Sequence, residues 1–242
     1  MRTDTILPAL IAALGVAVAG MAIGRGFASA RLDDRSVTVK GISEREVKAD
    51  LAIWPLRVVA SNDDLARAQG TIQSSVSEIS KFLERHKIDT SQMVLQDFSV
   101  ADAFTNQFAS NQRAASRFVI NQTVVVRSNE PEKILAASQR IGELVSAGVV
   151  LSSGGEYGSG GPTFIFTGLN TLKPEMIGES TARAREAAQK FAADSQASLG
   201  GIKHANQGLF EILPRDQATG ITEGSQINKT VRVVSTVDYF LR

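Results

Sequence analysis

"KADLAIWPLRVVAS", Lys48–Ser61, decides how this chain is read. It holds the only tryptophan, Trp54, with Pro55 directly behind it. Along an extended strand, successive side chains point to opposite faces. Ala52, Trp54, Leu56 and Val58 then share one wholly apolar face, while Leu51, Ile53, Pro55 and Val59 share the other with Arg57. The Trp54 face is the cleaner and is assigned to the core. The Pro55 face is open to cover by a helix or another subunit. Proline cannot donate to a ladder, so it belongs on an edge strand or at a bulge. The expectation is a core tryptophan beside a strand irregularity. A tryptophan that stacks on a ligand is the alternative.

Working outward, "SVTVKGI" (Ser36–Ile42) alternates as a half-buried strand does, and "VKADLAIWPLRVVA" (Val47–Ala60) is the second strand. A helix follows. Asn62 is its expected cap, Asp63 and Asp64 sit at its positive end, and Lys81, Arg85 and Lys87 lie near its negative end. Leu65, Ile72, Val76, Ile79 and Leu83 form its apolar stripe. Met93–Phe104 and Ser116–Ser128 read as strands. A second helix has a capping box, Asn129 with Glu132, and Pro131 in its first turn. Its stripe is Ile134, Leu135, Ile141, Leu144 and Val145, and Gly148 ends it. Val149–Ser153 and Pro162–Leu169 suggest a hairpin around the glycine-rich Gly154–Gly161. A third helix covers about Lys173–Leu199, stopped by Gly200 and Gly201. Gly208–Pro214 and Lys229–Leu241 are the closing strands, with Arg215–Asn228 a polar loop between them. The order is ββα-ββα-ββα-ββ. Strand pairs before each helix imply an α+β fold of mostly antiparallel sheet with packed helices, built from split βαβ-like units. No close internal repeat underlies the rhythm.

Composition bounds the function. At 43% hydrophobic and 21% charged residues, the chain is globular rather than disordered. It has no cysteine, which excludes disulfides, thiolate metal sites and thiol nucleophiles. A net charge of +1 argues against a nucleic-acid surface.

The N-terminal segment "ILPALIAALGVAVAGMAIG", Ile6–Gly24, has no charge. As a helix it spans about 29 Å, close to the hydrocarbon thickness of a bilayer. It reads as one transmembrane helix, an uncleaved signal anchor. Cleavage after Ala30, at the A-x-A site Ala28–Ala30, is the competing reading. The run is longer than a signal-peptide core of about 7–15 residues, and Arg25 lies between it and the cut. Gly20 and Gly24 form a small-xxx-small pair able to pack two membrane helices. Residues 1–34 are thus anchor and linker, and residues 35–242 the domain, with room for two subdomains. Charge alone does not orient the anchor.

Catalytic signatures are weak. The glycine-rich loop leads into a strand and carries no lysine, unlike a phosphate loop. His86 and His204 lack the companion ligands a metal needs. No G-x-S-x-G elbow exists. Glu44 with Glu46, and Asp63 with Asp64, are better explained as turn and helix-start residues than as acid pairs. No catalytic, cofactor or metal residue is assigned, and the chain is read as a non-enzyme.

Taken together, "SVTVKGISEREVKADLAIWPLRVVAS", the Asn-Asp helix start after it, "FTGL" before a long helix, and "ARAREAAQKFAADSQASLGGI" resemble the SIMPL-domain family, which includes periplasmic immunogenic and oxidative-stress-defence proteins of Gram-negative bacteria. The resemblance covers nearly all of Ser36–Leu241. It implies an exported domain, tethered to the inner membrane with its C-terminal part in the periplasm, that forms large homo-oligomers and supports envelope and oxidative stress tolerance. A periplasmic module binding a small ligand or a partner envelope protein is the alternative. The apolar last strand makes Tyr239 and Phe240 the candidate oligomer contact if that strand lies at a sheet edge.

Overall fold

The computed structural model describes residues 13–25, 35–104, 116–152 and 161–242. The fold is α+β with antiparallel sheets and several helices. Its elements are α1 (residues 13–25), β1 (Ser36–Lys48), β2 (Leu51–Asn62), α2 (Leu65–Arg85), β3 (Met93–Asp102), β4 (Phe118–Ser128), α3 (Pro131–Ser138), α4 (Gly142–Ser146), β5 (Thr163–Ile165), α5 (Leu169–Asp194), β6 (Leu199–Gln207), β7 (Glu211–Pro214) and β8 (Asn228–Leu241). The chain divides into two compact units.

The first unit takes in β1 as far as Glu44, Lys173–Glu211 and Arg232–Arg242. In its sheet β8 lies between β1 and β6, and β7 pairs with β8 as well. Helix α5 buries a row of Met176, Ser180, Ala184, Ala188 and Ala192, spaced four apart. Such small side chains let a helix backbone approach a sheet closely. The core here is Val39, Ala184, Ala188, Val237 and Tyr239. Gly41 marks the nearest approach, because a Cβ there would lie 1.8 Å from the Ser180 carbonyl oxygen. The Ser180 and Ser235 hydroxyls share a buried hydrogen bond of 2.7 Å.

The second unit, Arg45–Leu172 with Ile212–Val231, is built on a sheet ordered β3-β4-β2-β5. Ala52, Trp54, Leu56, Val58 and Ala60 are buried under the helices, as the alternation requires. Trp54 is fully buried, edge-on to Phe82 with centroids 6.3 Å apart. A ligand-stacking role is thereby overturned.

The strand irregularity expected at Pro55 is absent: β2 keeps register with β4 from Ala52 to Asn62. The reason is which edge Pro55 presents. Two and four residues on, Arg57 C=O accepts from Ser152 N–H and Val59 N–H donates to Val150 C=O, on the side away from β4. The missing Pro55 N–H faces that same outer side, so no bond to β4 is lost. Pro55 itself is exposed.

Several boundaries differ from the sequence reading. The first strand runs on through Lys48 and breaks at Ala49 and Asp50, because Thr167 N–H and its hydroxyl donate to the Asp50 carboxylate at 2.9 and 2.8 Å. Asp64, not Asn62, caps α2, accepting from Ala66 and Arg67 N–H, while Asn62 accepts from Asp64 N–H. Leu65 is exposed, and Phe82 joins Ile72, Ile79 and Leu83 in the buried stripe. The second helix splits in two, leaving Leu135 and Val145 exposed. Its Asn129–Glu132 box does not form; Glu130 holds the cap position. Gly148 ends α4 at φ 87°. The expected third hairpin is instead two short pairings on the outer edge of β2, through Leu151 and through β5. The long helix expected to reach Leu199 stops at Asp194, and Leu199–Gln207 is an additional strand, β6.

No helix among the described residues is long and apolar enough to cross a membrane. Residues 6–12 of the expected span, and the Ala28–Ala30 site, lie outside the described residues, as do residues 154–160 of the glycine-rich loop.

Candidate functional site

A groove lies within the second unit. Lys48 closes β1, Glu132 and Leu135 come from α3, and Asp216, Ser225, Gln226, Ile227 and Asn228 form the wall opposite. The groove holds about 400 Å³ and is open to solvent. Its charges are locally compensated: Lys48 Nζ meets Glu132 Oε1 at 2.9 Å, and Arg215 meets Asp216 at 3.0 Å. The Arg215 guanidinium holds the Asp216 carboxyl below its ordinary range.

The wall is a folded loop, tied within itself. Asp216 N–H donates to Gln226 Oε1 at 3.1 Å, and Gln226 Nε2 donates back to Asp216 C=O at 3.4 Å. The Ser225 hydroxyl accepts from Thr222 N–H and donates to Thr222 C=O. The nearest hydroxyl in the groove is therefore committed to backbone, without a neighbouring base to activate it. A lining of one ammonium, two carboxylates and three neutral polar side chains can recognise a polar ligand by hydrogen bonds.

The residues weighed for chemistry serve structure elsewhere. His86 caps α2, its ring 4.5 Å from Phe82 and its Nε2 3.4 Å from Glu143. His204 lies on β6 opposite Asp238 of β8. The described residues contain no group of three His, Asp or Glu able to hold a metal. Asp63 accepts Arg117 N–H and Asp64 caps a helix, so that carboxylate pair is divided between two tasks. Glu44 pairs with Arg232 at 3.4 Å.

The profile of the SIMPL family, described as "Protein of unknown function (DUF541)", matches residues 37–237. The chain belongs to the SIMPL family. No curated protein matches it. The matched span runs from the second residue of β1 into β8, so it takes in all of the second unit and much of the first.

In this SIMPL protein the edge position attached to the candidate contact at Tyr239 and Phe240 is not met. β8 is not a sheet edge. Tyr239 is paired with Ile202 of β6, and Leu241 N–H donates to Arg35 C=O on the other side. The Tyr239 side chain is buried, and Lys203 lies over the Phe240 ring at 5.6 Å. Gly20 and Gly24 sit on α1 with nothing within 4 Å of a built Cβ.

Sequence reasoning missed one residue of consequence, Lys229. The alternation that assigned Val231, Val233, Val237 and Tyr239 to one face puts Lys229 and Ser235 there too. A lysine in phase with four buried apolar residues was the available signal. Lys229 is fully buried, and its Nζ donates to Glu223 C=O at 2.6 Å and pairs with the Glu223 carboxylate.

Proposed function

We propose that this SIMPL protein is a non-enzymatic envelope protein, anchored in the inner membrane by its N-terminal helix, with the SIMPL region in the periplasm. It self-assembles and supports envelope stress tolerance. The observation that carries the reading is α1. Its Leu14, Val16, Val18, Met21 and Ile23 are between 60% and 74% exposed, and no charge interrupts the apolar run before Arg25. A helix apolar on every side needs a nonpolar surround. In the sequence, the uncharged run continues back to Ile6 and totals 19 residues, about what a bilayer span requires.

Self-assembly is supported by β3. It is the outer strand of its sheet, with Val94, Leu95, Phe98 and Val100 between 46% and 52% exposed. Met93–Ala101 carries no Lys, Arg or Pro, the usual guards of an edge, and only one bulge, between Gln96 and Ser99. Another chain could satisfy its outward N–H and C=O groups. Light scattering on residues 34–242 tests this: assemblies at tens of micromolar support it, and a monomer refutes domain-driven assembly.

A further inference from the structure

The described part of Arg215–Asn228 folds against a single buried cation. Along β8 the residues Lys229, Val231, Val233, Ser235, Val237 and Tyr239 are all buried, so an ammonium occupies the first place in an otherwise mainly apolar row. No water-facing route is available to it: the Lys229 side chain is fully buried. Its charge is met by one residue, Glu223, which supplies both a backbone carbonyl and its carboxylate. Glu223 opens a single 3-10 turn, Glu223–Ser225, that packs on β5 with Gly224 against Thr163. Two residues beyond that turn, Ile227 C=O accepts from Ala49 N–H, and Ser225, Gln226, Ile227 and Asn228 line the groove.

Two other carboxylates of this unit are engaged elsewhere. Asp216 is held by Arg215, and Asp50 accepts from Thr167. Among the described residues, neither comes within ion-pair distance of Lys229. The Glu223 side chain is 39% exposed, so protons reach it from solvent while its partner stays dry. A buried charge whose counter-charge is removed is far costlier than the intact pair. The relief nearest to hand is movement of the turn, which hydrates the ammonium.

We infer that Lys229 and Glu223 form an acid-released latch that holds one wall of the groove. With Glu223 ionised, the turn is clamped and the groove has both walls. When Glu223 takes a proton, Lys229 keeps only a carbonyl, the turn swings away, and the wall of Ser225–Asn228 goes with it. The inference does not depend on anchoring or assembly.

The test is hydrogen exchange on the full chain in detergent, read by mass spectrometry. The protein is labelled at neutral pH and at each of a series of falling pH values, and each rate is divided by the intrinsic exchange rate at that pH. On that scale, peptides from 215–228 should exchange at least about tenfold faster in acid, while β2 and β4 peptides keep their protection. Glu223→Gln should show the open loop at every pH. Lys229→Met, with no charge to strand, should leave the loop insensitive to acid. The latch is overturned if acid leaves the wild-type loop protected, if Glu223→Gln matches wild type at neutral pH, or if Lys229→Met opens in acid as wild type does. Simultaneous loss of protection in β2 and β4 would also overturn it, since that is general unfolding.

Discussion

Replacing Gly41 by alanine would put a methyl carbon 1.8 Å from the Ser180 carbonyl oxygen and 2.5 Å from the Ala184 amide nitrogen. Both atoms are backbone of α5, so no rotamer change can clear them. To reach ordinary contact the helix must retreat from β1 by about 1.5 Å. That retreat loosens Ala184 and Ala188 from Val39, Val237 and Tyr239, and stretches the 2.7 Å Ser180–Ser235 hydrogen bond. Overpacking costs about 1–3 kcal/mol, and a lost buried hydrogen bond adds about 1 kcal/mol. Removing a glycine from a strand returns about 0.5–1 kcal/mol. The balance is a loss of about 1–3.5 kcal/mol. Urea unfolding of residues 34–242 followed by far-ultraviolet circular dichroism would show it as a lower midpoint at unchanged slope. Gly70→Ala is the control: it lies within α2 with open space around it, and should gain about 0.5–1 kcal/mol. If Gly41→Ala unfolds within about 0.5 kcal/mol of wild type, the close approach of α5 to β1 is wrong.

Trp54→Ala should cost about 3–5 kcal/mol, because the indole is fully buried against Phe82. Unchanged stability in chemical denaturation would contradict the core assignment. At the proposed assembly edge, Leu95→Lys on β3 should shift light scattering of residues 34–242 to smaller species, whereas Phe240→Lys on the internal strand β8 should not. The opposite pattern would return the contact to β8.

How far the sequence speaks depends on how local the cause is. Trp54 was placed correctly because a period-two pattern and side-chain polarity suffice for it. Pro55 drew attention for a sound reason, its missing N–H, yet the edge it faces depends on where residues 150–152 and β5 fall. β6 was illegible because "LGGIKHANQ" has a single β-branched residue. It is a strand through pairing with β8, where Gly200 comes so near Phe240 that a Cβ would lie 2.9 Å from it. The α2 cap slipped from Asn62 to Asp64 because three adjacent residues can all cap, and Asp63 is drawn off by Arg117. Tyr239 and Phe240 looked like edge residues because pattern shows that a strand is apolar but not what flanks it. In the groove, no member announced itself: Lys48, Glu132 and Asp216 lie far apart in sequence and meet only through the fold.

The central claim is an anchored envelope protein, and intact mass of the chain recovered from alkali-washed membranes tests it most directly. The account predicts that the protein stays with the washed membranes at a mass that retains Met1–Ala30. A chain beginning at Arg31 and found in the soluble fraction would contradict it.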